Sequence, residues 1–305
     1  MLSKKTKKWL AKNTPVALTG KRVLITGANS GIGYKETEIM LYLGASVVMA
    51  CRNMEKAEIA RDTLLQEYPQ AEITLMQLDM ADFASIDRFA KRLAQEKTDL
   101  HFFVNNAGVF HQPNQKTADG FELVLGTNYI GVYYLTEKIL PYLQTLPHEV
   151  EYINTVSIIH KIAKINYRDF YYAQKYKNFG VYARSKLCLA RYTYALANRM
   201  QESNLRVYMI HPGIALTPLG LNAFGSKVKG AARVFGGLFN TPEKSALALA
   251  YLTARQLQDG SLIGPRALFG GWGYPKKNRI LRKVKTGADE LMRFTEEELR
   301  RVQGG

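Results

Sequence analysis

Short β-branched apolar runs alternate along the chain with longer stretches whose apolar positions recur at helical spacing. Arg22–Thr26, Ser46–Ala50, Ile73–Leu78, His101–Asn105, Tyr152–Val156 and Arg206–Ile210 read as strands, with Ala267–Phe269 a weaker seventh. Between them, 32–43, 55–67, 83–96, 119–145, 181–202 and 242–256 read as amphipathic helices. Strict alternation implies right-handed crossovers and a parallel sheet covered on both faces. No fixed-period repeat interrupts the pattern, and no linker divides it.

The expected fold is therefore α/β: a Rossmann-type doubly wound parallel sheet forming a single domain over 20–272. A basic extension at 1–19 precedes it and a second extension at 273–305 follows. Ligands of such a sheet bind beyond the carboxyl ends of its strands, so motifs that follow strands are the places to look for chemistry. The net charge of +16 first suggests a polyanionic partner. It is concentrated, however: residues 1–22 hold seven cations and no acid, and 276–285 hold six and no acid. Two cysteines, Cys51 and Cys188, cannot build a disulfide framework or a zinc site, and the histidines show no metal-like spacing, so no metal is expected. No apolar run reaches the length of a membrane span. The expectation is a cytoplasmic protein, in peripheral contact with a membrane if the basic ends bind one, and without a nucleic-acid partner, since no recognised module accompanies the charge.

The first strand runs into Gly27-Ala28-Asn29-Ser30-Gly31-Ile32-Gly33. Glycines there allow a tight turn and let a pyrophosphate approach backbone N–H groups at a helix N-terminus. An acidic residue closing the second strand would hold the ribose hydroxyl of NAD; the chain has Cys51 and then Arg52, whose guanidinium can grip the extra phosphate of NADP. Otherwise Arg52 merely opens the next helix. Asp79, with Met80 beside it, follows the third strand and can meet the adenine or cap the helix after it.

Asn105, Asn106, Ala107 and Gly108 follow the fourth strand; small residues admit the cofactor, and an asparagine side chain can tie strands together. Asn128 falls inside a predicted helix, where its amide needs a partner. Ser157 follows the fifth strand, and Tyr182 and Lys186 stand four apart near the start of a long helix, on one face. A free phenol titrates near 10 and is a poor base; a neighbouring ammonium favours the phenolate. Tyrosine and lysine at this spacing mean little alone and gain weight from following the glycine loop and Ser157 in order.

With these motifs together the chain resembles the short-chain dehydrogenase/reductase family, and more narrowly its retinol dehydrogenase-like branch. The general signs are 26–33, 105–108, Asn128, Ser157, Tyr182 with Lys186, and His211-Pro212-Gly213 with Thr217; the narrower ones are 50–52, Thr117–Glu122 and the insert between Ser157 and Tyr182. The resemblance implies an oxidoreductase acting on CH–OH groups, moving hydride between NADP(H) and a carbonyl or alcohol, with a hydrophobic aldehyde, ketone or retinoid-like substrate. It implies Tyr182 as acid or base, Ser157 as hydrogen-bond donor to the reacting oxygen, Lys186 on Tyr182 and the nicotinamide ribose, and Asn128 positioning a water relay to Lys186. Pro212, Gly213 and Ile214 would line the nicotinamide, and Thr217 would contact its carboxamide or the pyrophosphate. Where the family often has two serines, the first is Val156. The resemblance further implies a lid at about 214–240 and subunit pairing through 119–145 and 181–202, hence a homo-oligomer.

Two other readings compete: a binding protein that senses NADP(H) without turnover, and a reductase of a conjugated ring. If 1–12 is helical, Leu2, Thr6, Trp9 and Leu10 share a face opposite several lysines, as in a membrane-surface helix; the alternative is a solvated tail. Neither substrate identity, reaction direction nor the substrate-binding residues follow from these patterns.

Overall fold

The computed structural model describes residues 1–14, 16–110, 115–174, 176–215, 240–267 and 270–303. Eight strands form one sheet: β1 (Arg22–Thr26), β2 (Ser46–Cys51), β3 (Ile73–Gln77), β4 (Phe102–Asn105), β5 (Val150–Thr155), β6 (Leu205–Ile210), β7 (Leu262–Ala267) and β8 (Trp272–Asn278). Their order is β3-β2-β1-β4-β5-β6-β7-β8. Every neighbouring pair is parallel except β7 and β8. The chain reverses direction from β1–β2–β3 to β4 onward, which opens the crevice where a doubly wound sheet takes its ligand.

Alternation along each strand splits the core into two layers. Val23 and Ile25 of β1, Phe102 and Val104 of β4 and Ile153 of β5 face one side; Leu24, Phe103 and Tyr152 face the other. The first layer is closed by α2 (Gly31–Tyr42), α3 (Met54–Glu67) and α8 (Pro242–Thr253), the second by α4 (Phe83–Gln95), α6 (Gly131–Leu143) and α7 (Asn178–Arg199). Burial on both faces is why the strands read as apolar runs rather than half-polar ones. Local chemistry starts the helices: Asn53 accepts from Lys56 N at 2.8 Å, Asp82 from Ala84 N at 2.9 Å, and Thr241 from Lys244 N at 3.1 Å ahead of Pro242.

Three expectations are corrected. The helix predicted over 119–145 begins only at α5 (Leu123–Leu125) and passes through a π turn, Gly126–Ile130, into α6. Residues 117–122 fold back instead, and the Glu122 carboxylate caps α5 by accepting from Val124 N and Leu125 N. The weak strand at 267–269 is the end of β7, with 268–269 outside the described residues. Finally, 273–305 is no appendage, for β8 is the last strand of the sheet. Behind it, α9 (Arg282–Lys285) and α10 (Ala288–Gln303) pack on α7, with Leu291 fully buried and Tyr129 Oη hydrogen-bonded to Thr295 Oγ1.

The basic extension is likewise part of the body. Ser3 accepts from Thr6 N and starts α1 (Lys4–Asn13), which lies along α8. Ser3 Oγ donates to Glu243 at 2.6 Å, and Arg255 at the far end of α8 donates to Asn13 O at 3.2 Å. Leu2 and Leu10 enter the core, and Trp9 stacks on Tyr274 of β8 at 5.7 Å. The apolar stripe that the amphipathic pattern offers to a membrane therefore faces the domain, and Lys4, Lys5, Lys8 and Lys12 point to solvent. Among the described residues no helix is long and apolar enough to cross a membrane.

Leu10 is fully buried, so Leu10→Ala is expected to lower unfolding free energy by about 2–5 kcal/mol in a denaturant titration. A solvated tail would leave the midpoint unchanged.

Candidate active site

The glycine loop, the end of β2, the β4 loop, Ser157 and the start of α7 all lie at the carboxyl end of the sheet. Gly27 N donates to Ala50 O at 2.8 Å, fixing the loop against β2. Gly31 has φ +57°, and a Cβ on Gly33 would sit 2.5 Å from Asn106 Nδ2 and from Gly27 O, so only glycine lets the loop and α2 close on the β4 segment. Asn29, Ser30 and Ile32 are left open to solvent to differing degrees, and Ser30 stands at the N-cap of α2 without spending its hydroxyl on a cap bond. Cys51 is buried against the loop, and burial pushes its thiol up to about 11. Arg52 beside it is exposed.

Asp79 does not cap α4: its Oδ1 accepts from Ala81 N at 2.9 Å, and the cap falls to Asp82. Met80 is buried, and its carbonyl would lie 2.1 Å from a Cβ on Gly131, so this glycine brings α6 against the loop after β3.

Thr26 at the end of β1 organises the β4 loop. Its Oγ1 accepts from Ala107 N at 2.9 Å, and its carbonyl accepts from Asn106 Nδ2 at 3.0 Å. Asn105 donates to Tyr152 Oη at 2.6 Å and to Asn154 Oδ1 at 2.9 Å, tying β4 to β5. Asn128 lies in the π turn with no exposed surface. Its Oδ1 accepts from Val109 N at 2.7 Å, and its Nδ2 donates to Val109 O at 2.9 Å and to Ser185 Oγ at 3.2 Å. Gly108 sits between Asn128 and Lys186: a Cβ there would be 3.1 Å from Asn128 Oδ1 and 3.7 Å from Lys186 Nζ.

Ser157 stands in extended backbone immediately after β5, and its hydroxyl is hydrogen-bonded to the Tyr182 oxygen. Phe110 packs edge-on against the Tyr182 ring at 4.6 Å. Lys186 is buried, donates to Thr155 O at 2.9 Å, and stands 5.9 Å from the Tyr182 ring centre. The expected pull of the ammonium on the phenol is not the dominant effect here. Burial raises the Tyr182 phenol above its ordinary value, with the Ser157 hydrogen bond opposing it, and burial pushes Lys186 down to about 8. A low-dielectric site penalises both charged forms, and Lys186 has a carbonyl rather than a carboxylate for company.

Pro212, Gly213 and Ile214 follow β6 and are held from behind. Pro212 O accepts from Asn240 Nδ2 at 3.1 Å and Ser245 Oγ at 2.9 Å, and Ile214 N donates to Gly271 O at 2.8 Å. Thr217 and most of the lid at 214–240 lie outside the described residues. Sequence reasoning missed Asn240 and Ser245. It also missed Arg184, which is buried between Tyr182 and Lys186 and donates to Lys164 O, Asp169 O and Phe170 O while its guanidinium lies 3.8 Å over the Tyr172 ring. Lys283 holds the same insert from the other side by donating to Lys161 O at 2.6 Å and Ala163 O at 2.9 Å. Arginine and lysine as clamps on backbone carbonyls leave no spacing signal in a sequence.

Asp99, His101 and His148 bring potential ligand atoms within 4.8 Å of one another. The two imidazoles are stacked 4.1 Å apart and nearly parallel, and His148 Nε2 is bound to Asp99 at 2.6 Å. One ion cannot lie in both of two parallel ring planes, so this is a hydrogen-bonded pair resting on a second ring rather than a metal centre.

The carboxyl end of the sheet brings together a glycine loop at a helix N-terminus, an exposed arginine with no acid closing β2, and small residues where the β4 loop meets Lys186. The family model described as short chain dehydrogenase matches residues 21–224. Retinol dehydrogenase 14 of Mus musculus is 39% identical over 217 residues, 68% of this chain and 64% of that protein. Retinol dehydrogenase 12 of Mus musculus is 37% identical over 212 residues, 69% of this chain and 66% of that one. The chain thus spans a little under two thirds of the length of these relatives. A crystal structure of an uncharacterized protein from Mycobacterium paratuberculosis, 28% identical, superposes with a TM-score of 0.75 over 94% of this chain and 96% of that one.

Because Lys186 titrates near 8 when folded and at 10.5 as a free side chain, the unfolded chain holds a proton across that window that the folded chain has released. Its contribution to stability therefore rises with pH between these values and is least favourable below them. Lys186→Met is expected to raise the unfolding free energy of cofactor-free protein at about pH 7 by an amount on the order of 3 kcal/mol, and to change it much less at about pH 10. Thermal unfolding at both values checks the sign.

Proposed function

The chain belongs to the short-chain dehydrogenase family, in its retinol dehydrogenase-like branch, and from that membership we propose that it is an NADP(H)-dependent oxidoreductase. Its substrate on this reading is a carbonyl or alcohol of apolar character: an aldehyde, a ketone or a retinoid-like compound. The observation that carries the reading is the joining of Ser157, Tyr182 and Lys186 at one end of the sheet, with Asn128 closed behind them.

Backbone N–H groups of Asn29, Ser30, Gly31, Ile32 and Gly33 at the start of α2 would hold the pyrophosphate. Arg52 would take the extra phosphate of NADP, with Asp79 and Met80 at the adenine. Asn105, Ala107 and Gly108 would line the middle of the dinucleotide, with Pro212, Gly213, Ile214 and Thr217 at the nicotinamide. When bound, the cofactor supplies hydride in reduction or takes it up in oxidation. Tyr182 gives its phenolic proton to the carbonyl oxygen in reduction and takes the alcohol proton in the reverse direction. Ser157 Oγ, already on the Tyr182 oxygen, donates to the same reacting oxygen as charge builds there. Lys186, charged below about pH 8, favours the phenolate as the proton leaves. Asn128 contributes by position: it fixes the Val109 backbone and Ser185, and so the part of α7 that carries Tyr182 and Lys186.

An apolar substrate suits Phe110, which lies against Tyr182. The aromatic insert between Ser157 and Tyr182 packs on the C-terminal helix, with Tyr167 and Phe170 against Phe294 and Tyr171 hydrogen-bonded to Glu298.

The test is consumption of NADPH across a panel of aldehydes, ketones and retinoids, with the reverse assay on the matching alcohols. Tyr182→Phe is expected to lower kcat/KM by roughly a hundredfold or more while NADPH still binds in a fluorescence titration; undiminished turnover refutes the mechanism. Arg52→Ala is expected to raise KM for NADPH by roughly tenfold or more and to leave KM for NADH nearly unchanged. An equal effect on both cofactors would assign Arg52 to the start of α3 instead.

A further inference from the structure

A second cavity, of about 690 Å³, opens at the opposite end of the sheet from Tyr182. It lies between the last turns of α7, the residues that lead into β7, and the segment that leaves β8. Four cations line it, Lys277, Arg279, Arg282 and Lys285. The single carboxylate among its lining residues, within the described part of the chain, is Asp259. That acid is already engaged: its Oδ1 accepts from Val207 N at 3.1 Å, and its Oδ2 faces Arg206 at 3.8 Å.

None of the four cations makes an ion pair among the described residues. All four are exposed, and Lys285 Nζ lies over the Tyr194 ring at 5.7 Å. Their neighbour in sequence, Lys283, shows what the same segment does when its charge serves the fold: it turns inward onto two backbone carbonyls. The remaining cations instead converge on a concave space together with the amides of Asn198 and Gln201. Like charges gathered in one cleft repel, and an anion placed among them relieves that repulsion while the guanidinium forks match phosphate oxygens two at a time.

We propose that this cavity is a binding site for a multiply phosphorylated anion, separate from the dinucleotide cleft. Its volume lies in the range of small-ligand pockets. It opens beside the amino ends of β6 and β7, whereas the nucleotide loop follows the carboxyl end of β1 on the far side of β4 and β5, so both sites can be filled at once. The same chemistry arises from a soluble polyphosphate compound or from a phosphoinositide headgroup at a membrane, and the assay must separate them.

The full chain is titrated with inorganic pyrophosphate by calorimetry at physiological salt, with NADPH present and absent. The expected result is saturable binding in both conditions, weakened by roughly tenfold or more in Arg279→Ala/Arg282→Ala and unaltered in Arg52→Ala. Absence of saturable heat, or equal binding by the double variant, overturns the proposal. Loss of binding in Arg52→Ala does so too, since the ligand would then sit in the cofactor cleft. In parallel, the chain is floated with phosphatidylcholine vesicles carrying phosphatidylinositol bisphosphate or, at matched charge, phosphatidylserine. Capture by the phosphoinositide vesicles alone, reversed by pyrophosphate, assigns the site to a headgroup; no capture by either, with pyrophosphate binding intact, assigns it to a soluble ligand. Equal capture by both vesicle types, lost equally in the double variant, shows diffuse charge attraction and no built site.

Discussion

The buried carboxamide of Asn128 joins three pieces of chain that share no sequence neighbourhood. Its oxygen and nitrogen grip the backbone of Val109 on both sides, and its second N–H reaches Ser185 one residue before Lys186. An amide buried this deeply is costly unless all its groups are matched, and here the matching is what sets the β4 loop against α7. The π turn is the local concession: an extra residue in the helix turns Asn128 inward where regular α geometry would carry it round the axis. Gly131 then lets the helix resume against the carbonyl of Met80. Tyr182 and Lys186 sit on α7, but what aims them lies largely off it.

Apart from its ion pairs with carboxylates, positive charge in this protein is divided between two uses. Arg184, Arg191, Arg255 and Lys283 donate to backbone carbonyls and hold irregular segments in place. A guanidinium offers several donors in one plane, so one side chain can satisfy carbonyls that no helix or strand would otherwise pair. Lys4, Lys5, Lys8 and Lys12 of α1, and Lys277, Arg279, Arg282 and Lys285 beyond Lys276, remain in solvent. The net charge therefore overstates the partner-binding surface, because part of it is structural.

Much of the architecture is legible in the chain, and the exceptions share a cause. β1 to β6 stand within two residues of their apolar runs, since strands covered on both faces read as near-continuous apolar stretches. β7 and β8 escape because Gly264, Pro265, Gly273 and Pro275 read as breakers. At the edge of the sheet Pro265 and Pro275 face each other across an irregular antiparallel pair, where lack of an N–H costs little. The glycine loop, Ser157, Tyr182 and Lys186 are legible because spacing and order encode them. Arg184, Lys283, Asn240 and Ser245 are not, because their partners are main-chain atoms that only the folded chain brings near. The stripe on α1 shows the limit of amphipathicity as evidence: it tells that a face will be buried, and leaves open against what.

The docking of α1 also sets an order in time. Its apolar face closes on α8 and on Tyr274 of β8, and a ribosome working from the N-terminus delivers those elements more than two hundred residues later. At roughly 5–20 residues per second, the basic helix waits on the order of tens of seconds with Leu2, Trp9 and Leu10 uncovered. For that interval the nascent chain displays a cationic amphipathic segment that the finished protein conceals, so chaperones and membrane surfaces meet a different molecule during synthesis from the one they meet afterwards.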